Sequence, residues 1–165
     1  MTVRDTQRAQ VYAAEDFVRT LFDRAAQHSS RAIDFFGTPL TLPPEARFAS
    51  VEAVGDYVQK VLMMPAVRER WAPGELAVRP RRGLTAAHYE NAGGSAVIAV
   101  PDRGERWAMR ELVILHEIAH HLCPAQPAHG GEFTSTFCDL AGIVMGPEVG
   151  HVLQVVYAKE GVRLR

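Results

Sequence analysis

The chain is short of cysteine, of long apolar runs and of net charge. Its two cysteines, Cys123 and Cys138, are too few for a disulfide framework, which favours a reducing compartment. No stretch reaches the roughly 18 uninterrupted apolar residues of a membrane span, and the N-terminus lacks the apolar core of a signal peptide. A formal net charge of −1 gives no overall field that would attract nucleic acid or an anionic membrane. These absences predict a soluble, cytoplasmic protein with no obvious nucleic-acid partner and no membrane partner.

The length and composition predict one α+β domain over residues 1–165. A chain of 165 residues can build a hydrophobic core without disulfides. Helical spacing of apolar residues predicts a helix from about residue 5 to about residue 28, and a second from the candidate N-cap Ser50 to about Met64. Between them, the segment from Ile33 to Phe48 contains one glycine and three prolines and is expected to be irregular.

A small sheet is predicted in the middle of the chain. Alternating and β-branched residues favour strands at Leu76–Arg79, Ala87–Glu90 and Ser95–Val100. Asn91–Gly94 is expected to turn the second strand into the third and so to form a hairpin. Ser95–Val100 is the candidate edge strand, which an extended peptide could pair with.

Three further helices are predicted after the sheet. The first runs from Trp107 to about Leu122 and is ended by Pro124 and Pro127. The next two run from about Glu132 to Val144 and from Val149 to about Lys159. Helices, then a small sheet, then more helices is an α+β order.

The run His116-Glu117-Ile118-Ala119-His120 is the most informative part of the sequence. Histidines four residues apart fall on one face of a helix, close enough for both rings to bind one metal ion. Glu117 can reach a metal-bound water and take its proton. The flanking residues are apolar, so the helix is expected to be buried, where two histidines and a glutamate need partners that a metal supplies. His121 points about 100° around the helix and is not expected to join them.

A catalytic zinc site usually takes three protein ligands, and the third is expected downstream. After the helix break, His129 is the favoured ligand, because Gly130 and Gly131 permit a close backbone approach. Glu132 and Asp139 are the rivals, since both lie on one face of the next helix. Either carboxylate could instead accept a hydrogen bond from a ligand's second ring nitrogen. That role is favoured for Asp139, whereas Glu132 is at least as well explained as a solvated acid.

The five-residue run resembles the HExxH signature of the zincin metallopeptidases. The later run His129-Gly130-Gly131-Glu132-Phe133 is similar to the downstream histidine-glycine, then aromatic, pattern of SprT-like and WLM-type metalloproteases. In those proteins the downstream histidine is the third zinc ligand, which corresponds to His129. The metzincin pattern does not extend here, because its later glycine and histidine are replaced by Cys123 and Gln126.

The chain as a whole most resembles a small metallohydrolase family of mycobacteria and related actinobacteria. The specific resemblance covers about residues 95 to 140. It implies a zincin-like domain in which a small sheet, with a hairpin and an edge strand, packs on the HExxH helix and further helices. It also implies Zn²⁺ as the cofactor.

These observations predict a zinc metallohydrolase, and specifically a peptidase acting on a peptide or protein substrate. His116, His120 and His129 would bind the zinc, and Glu117 would deprotonate the zinc-bound water and pass the proton to the leaving amine. The alternative is a non-catalytic metal-binding or interaction module with a vestigial site. Glu117 argues against that alternative, because zinc affinity alone does not need it. A third reading is a buried helix whose histidines are hydrogen-bonded without a metal. The sequence predicts neither an oligomeric state nor a cleavage specificity.

Overall fold

The described part of the chain forms two compact units. A computed structural model describes residues 3–82, 86–102 and 108–165. The first unit combines Met1–Glu45 with Pro124–Arg165, and the second is Ala46–Cys123. Helices and small sheets together confirm the predicted α+β class, whereas the predicted single domain stays a prediction. None of the helices in the described ranges is both long enough and apolar enough to cross a membrane.

The first unit is mainly helical, and its two chain segments meet through helix packing. Its elements are α1 (Arg8–Ala26), β1 (Ala32–Phe35), β2 (Thr38–Thr41), α5 (Gly131–Met145) and α6 (Pro147–Lys159). Helix α6 packs against both α1 and α5. Glycine allows the close approach of α5 and α6, since a Cβ at Gly150 would lie 3.0 Å from the Cys138 carbonyl oxygen and 3.3 Å from Cα of Gly142. The three predicted helices of this unit are therefore confirmed, each with slightly different ends.

The expectation of irregular backbone from Ile33 to Phe48 is wrong for its first half. Strands β1 and β2 pair there as an antiparallel hairpin in which Phe35 lies opposite Thr38. The connecting residues Phe36 and Gly37 both have positive φ, 50° and 86°, as a two-residue hairpin turn requires. Phenylalanine is rarely found in that conformation, so composition gave no signal for this turn.

The second unit contains the sheet and the HExxH helix. Its elements are α2 (Val51–Met63), α3 (Pro65–Trp71), β3 (Ala77–Arg81), β4 (His88–Ala92), β5 (Ser95–Pro101) and α4 (Glu111–Leu122). The predicted N-cap is confirmed, because the Ser50 side chain accepts a 3.0 Å hydrogen bond from the amide of Ala53. Helix α3 was not predicted. Pro65 occupies its first turn, where proline is tolerated and its fixed φ favours helix.

The sheet corrects the predicted edge strand. Strand order is β3-β5-β4, so the segment Ser95–Val100 is the central strand and not an edge. β5 pairs in parallel with β3 and antiparallel with β4. Its residues from 96 to 101 are mostly buried, and a nearly continuous apolar run is typical of a strand that has neighbours on both sides and both faces covered. The predicted hairpin is confirmed, since Gly93 and Gly94 turn β4 into β5 with φ of 60° and 87°.

Helix α4 is buried along most of its length, as predicted. Every residue from Glu111 to Ala119 is buried. The Glu111 carboxylate accepts hydrogen bonds from the Ala46 amide, at 3.0 Å, and from the Tyr57 hydroxyl. These bonds fix the first turn of α4 within the second unit. The predicted helix start at Trp107 lies outside the described residues, and the predicted end near Leu122 is confirmed.

Candidate metal centre

Helix α4 places the two histidines of the HExxH run side by side. Because they are separated by one helical turn, their rings face the same direction. Their Nε2 atoms lie 3.2 Å apart, and the ring planes are 72° from parallel. His116 is buried at 4% exposure, and His120 is partly buried.

Glu117 is held beside these rings by the sheet. Its Oε2 atom accepts a 2.9 Å hydrogen bond from the backbone amide of Tyr89 on β4. The residue is 9% exposed, and a buried carboxylate requires such donors. The strand amide therefore fixes the position of the carboxylate without neutralising its charge.

The side chain of Tyr89 also lies against α4. Its hydroxyl is 3.1 Å from Nδ1 of His121, and Nε2 of the same histidine is 2.9 Å from the carbonyl oxygen of Gly74. The Tyr89 ring lies nearly parallel to that of His120, with centroids 6.3 Å apart. Burial raises the pKa of Tyr89 above its ordinary value. His121 is therefore engaged by a tyrosine and a carbonyl, in agreement with the prediction that it points away from the other two histidines.

His129 lies in the turn between α4 and α5, where the N-terminal segment binds both its ring and its backbone. Asp5 accepts a hydrogen bond from the His129 amide through Oδ1, at 3.2 Å, and its Oδ2 lies 2.7 Å from Nδ1 of the ring. Gln7, which is 5% exposed, donates a 2.9 Å hydrogen bond to the carbonyl oxygen of His129. One carboxylate and one amide thus hold His129 at three points.

The glycine pair after His129 is needed for close packing, as the sequence suggested. A Cβ at Gly130 would lie 3.1 Å from ring carbons of Pro127, and a Cβ at Gly131 would lie 3.3 Å from the backbone nitrogen of Arg165. Both distances are shorter than ordinary carbon contacts. The absence of side chains therefore lets α5 begin two residues after the histidine.

Aromatic rings enclose the His129 side chain. The Tyr12 ring lies 5.1 Å from it, tilted by 57°, and the Phe133 ring lies 5.2 Å away in an edge-on arrangement. His129 itself is 6% exposed. Such walls limit rotation of the imidazole and keep bulk water from it.

The three histidines predicted as ligands lie close enough to bind a metal ion. His116, His120 and His129 each offer a nitrogen atom, and the three nitrogens lie within 4.8 Å of one another. Two imidazole nitrogens bound to one tetrahedral zinc, at about 2.0–2.1 Å each, are about 3.3 Å apart. The 3.2 Å between the Nε2 atoms of His116 and His120 fits that spacing. An all-imidazole donor set also suits zinc and other transition metals better than calcium or magnesium.

The two carboxylates that were considered as alternative third ligands are not part of this histidine group. The histidine group found in the described ranges includes neither Glu132 nor Asp139. Glu132 is exposed and Asp139 is partly buried. The role suggested for either carboxylate, as acceptor of a hydrogen bond from a ligand's second ring nitrogen, stays a prediction. Cys123, which follows the last residue of α4, is buried.

Two contributors to the site were missed by sequence reasoning. Asp5 precedes His129 by 124 residues, and no spacing rule connects the two. Tyr89 falls in a predicted strand, but only the strand order shows that its backbone amide reaches Glu117. A free strand edge beside the HExxH helix was the one available signal, and it was assigned to the wrong strand.

No protein-family model, curated protein or solved structure matches the chain.

Proposed function

We propose that the protein is a zinc-dependent peptidase with a zincin-like active site. The proposal is carried by one observation, the three histidine nitrogens within 4.8 Å of one another. It is supported by Glu117, which is adjacent in sequence to the first of these histidines and is held by a strand amide. Three neutral ligands leave a fourth coordination position open, which distinguishes catalytic from structural zinc sites.

His116, His120 and His129 would hold the metal. When bound, zinc lowers the pKa of a coordinated water and polarises a carbonyl oxygen. Two of the three histidines are buried and the third is partly so, so a bound ion would be largely shielded from bulk water.

Glu117 is the proposed general base. Its carboxylate takes a proton from the water as the water oxygen bonds to the peptide carbonyl carbon, and it delivers that proton to the amine nitrogen as the C–N bond breaks. The products are a carboxylic acid and an amine, which exchange a proton at neutral pH to give a carboxylate and an ammonium, so one water is consumed. The hydrogen bond from the Tyr89 amide keeps the base oriented in both steps.

Strand β4 is the proposed docking edge for the substrate. Among the described residues, it pairs with β5 on one side and has no partner strand on the other. Because the Tyr89 amide donates to Glu117 rather than to β5, the alternation of an antiparallel pair turns the Tyr89 carbonyl and the backbone groups of Asn91 toward the opposite edge. An extended peptide could add there by strand pairing, close to Glu117. This transfers the role first expected of Ser95–Val100 to its neighbour His88–Ala92.

The metal content of purified variants tests the ligand assignment. We expect about one zinc per chain in the wild type, and loss of it in His116→Ala and His120→Ala. His129→Ala should weaken zinc binding much more than Glu132→Ala or Asp139→Ala. The matched control is His121→Ala, which removes an adjacent imidazole bonded to Tyr89 and Gly74 and should retain the metal.

Two outcomes would change the assignment. Full zinc occupancy in His116→Ala or His120→Ala would favour the reading in which these histidines only hydrogen-bond to each other. A zinc-loaded wild type that cleaves none of a panel of unstructured proteins and peptide libraries would favour the non-catalytic metal-binding module.

A further inference from the structure

We propose that Asp5 is the positioning residue that makes His129 a metal ligand, by fixing the tautomer and the orientation of its ring. The inference rests on the proposed metal centre but not on catalysis. It assigns a role in metal binding to an N-terminal segment that is remote in sequence from the HExxH run.

The Asp5 contact determines which nitrogen of the His129 ring carries the proton. An ionised carboxylate can only accept hydrogen bonds, so the 2.7 Å contact between Asp5 Oδ2 and His129 Nδ1 places the proton on Nδ1. In neutral imidazole the other nitrogen, Nε2, then carries the lone pair that binds a metal. The opposite tautomer would leave the proton on Nε2, and the ring could not bind the ion through that atom.

The same carboxylate also fixes the direction of the ring. Asp5 Oδ1 accepts a hydrogen bond from the His129 backbone amide at 3.2 Å, so both oxygens bind the same residue. Rotation of the imidazole about its side-chain bonds would break the ring contact while the backbone contact remained. Tyr12 and Phe133 limit that rotation further by packing against the ring.

Gln7 links the backbone of His129 to that of Arg163, near the C-terminal end of the chain. Its side-chain nitrogen donates to the carbonyl oxygens of His129 and Arg163, and its side-chain oxygen accepts from the Arg163 amide at 3.0 Å. Gln7 therefore holds the backbone on which His129 is carried, whereas Asp5 binds the ring as well as the backbone amide. Gln7 therefore has a structural role, whereas Asp5 orients the ring for metal binding, and the two roles can be tested independently.

The first measurement concerns the metal-free protein. Ring ¹⁵N chemical shifts of His129 should report the Nδ1-protonated tautomer in the wild type and a mixture of tautomers in Asp5→Ala. A merely structural Asp5 would leave the tautomer unchanged, and that result would overturn the proposal. Because no metal is present, this test is decided even if the proposed function fails.

The second measurement is zinc affinity, by competition with a chromophoric chelator. Residues that orient a metal ligand typically contribute about 10- to 100-fold in affinity, and we expect a loss in that range for Asp5→Ala. Asp5→Asn should lose less, because its carbonyl oxygen can still accept from the ring. The matched control is Asp16→Asn, which removes an acid whose side chain is 74% exposed on α1 and should bind zinc as tightly as the wild type.

A double-mutant comparison decides whether Asp5 acts through His129. In a His129→Ala background the ring is absent, so adding Asp5→Ala should weaken zinc binding no further. An equal loss in both backgrounds, or wild-type affinity in Asp5→Ala, would contradict the proposal. A protein that binds zinc with the expected Asp5 dependence but cleaves no substrate would leave this inference standing and remove only the peptidase assignment.

Discussion

Glu117 follows His116 by one residue, so its side chain leaves α4 about 100° around the helix from that ligand. That offset suits contact with a water rather than with the ion. The Tyr89 amide holds the carboxylate there. At the scale of single residues, the proposed site therefore needs three histidines to bind the metal and one carboxylate, placed between two of them in sequence, to transfer the proton.

Replacing Glu117 with glutamine separates binding from catalysis. Glutamine keeps the size and an oxygen that can accept the Tyr89 amide, but it is not a base. We expect the variant to stay folded and zinc-loaded while hydrolysis falls by at least roughly 100-fold, as is typical for loss of a general base. Zinc content and initial cleavage rates measure the two effects. Glu69→Gln is the control, since Glu69 is exposed on α3, and cleavage by Glu117→Gln at the wild-type rate would exclude the proposed role.

The residues that sequence could predict are those whose neighbours are fixed by helix geometry. His116 and His120 must share a face once α4 is a helix, and their 3.2 Å separation follows. His129 was favoured by residue type and by the glycines after it. Asp5 could not be predicted, because its contact with His129 depends on how α1 and the preceding residues pack in the first unit. Contacts between residues so far apart in sequence produce no periodic pattern from which they could be predicted.

At the scale of elements, the predicted helices and strands were mostly confirmed, while their arrangement was not predictable. Sequence adjacency to the HExxH helix suggested that Ser95–Val100 was an edge strand, yet β5 is central. The unbroken apolar run of this strand favours burial on both faces, and therefore a central position in the sheet. The hairpin of β1 and β2 was missed because its turn uses Phe36 rather than a typical turn residue.

Helices α1 and α6 are joined by a buried polar contact that can be tested directly. The Tyr157 hydroxyl donates a 2.6 Å hydrogen bond to Oε2 of Glu15, and both residues are buried. Burial, and then the Glu15 charge, raise the pKa of Tyr157 well above its ordinary value of 10.0. The hydroxyl thus remains a donor at neutral pH.

We expect Tyr157→Phe to lower the free energy of unfolding by about 1–3 kcal/mol, because a buried carboxylate loses a donor. Urea unfolding at neutral pH measures this. Thr20→Val is the control on α1, because it removes an exposed hydroxyl that bonds to the Phe17 carbonyl of the same helix, and it should change stability little. Since the folded-state pKa of Tyr157 lies above the unfolded one, its contribution is complete below about pH 10 and is lost as pH rises further. The two proteins should therefore converge in stability at strongly alkaline pH, and a constant difference there would contradict the assigned contact.

At the scale of the whole molecule, composition predicted an α+β protein but not its division into two compact units. The first unit draws on both ends of the chain, Met1–Glu45 and Pro124–Arg165. Packing of α1 and α5 on α6 brings these ends together. Such packing depends on shape, as with Gly142 and Gly150, and hydrophobic periodicity does not reveal which helices will be partners.

Metal binding should raise the stability of the folded chain, since a ligand that binds the folded state selectively shifts the unfolding equilibrium. At a free zinc concentration 100-fold above the dissociation constant, the gain is about 2.7 kcal/mol. For a chain of this length, that corresponds to a rise in melting temperature of roughly 5–11 °C. Zinc binding to histidines and cysteines of the unfolded chain would place the rise at the low end. Calorimetry with zinc, and again after a chelator, measures the effect, which the chelator should reverse.

The double variant His116→Ala with His120→Ala should show no rise in melting temperature with zinc. If it melts higher with zinc by as much as the wild type does, the stabilising ion binds elsewhere, and the three-histidine centre is not the metal site.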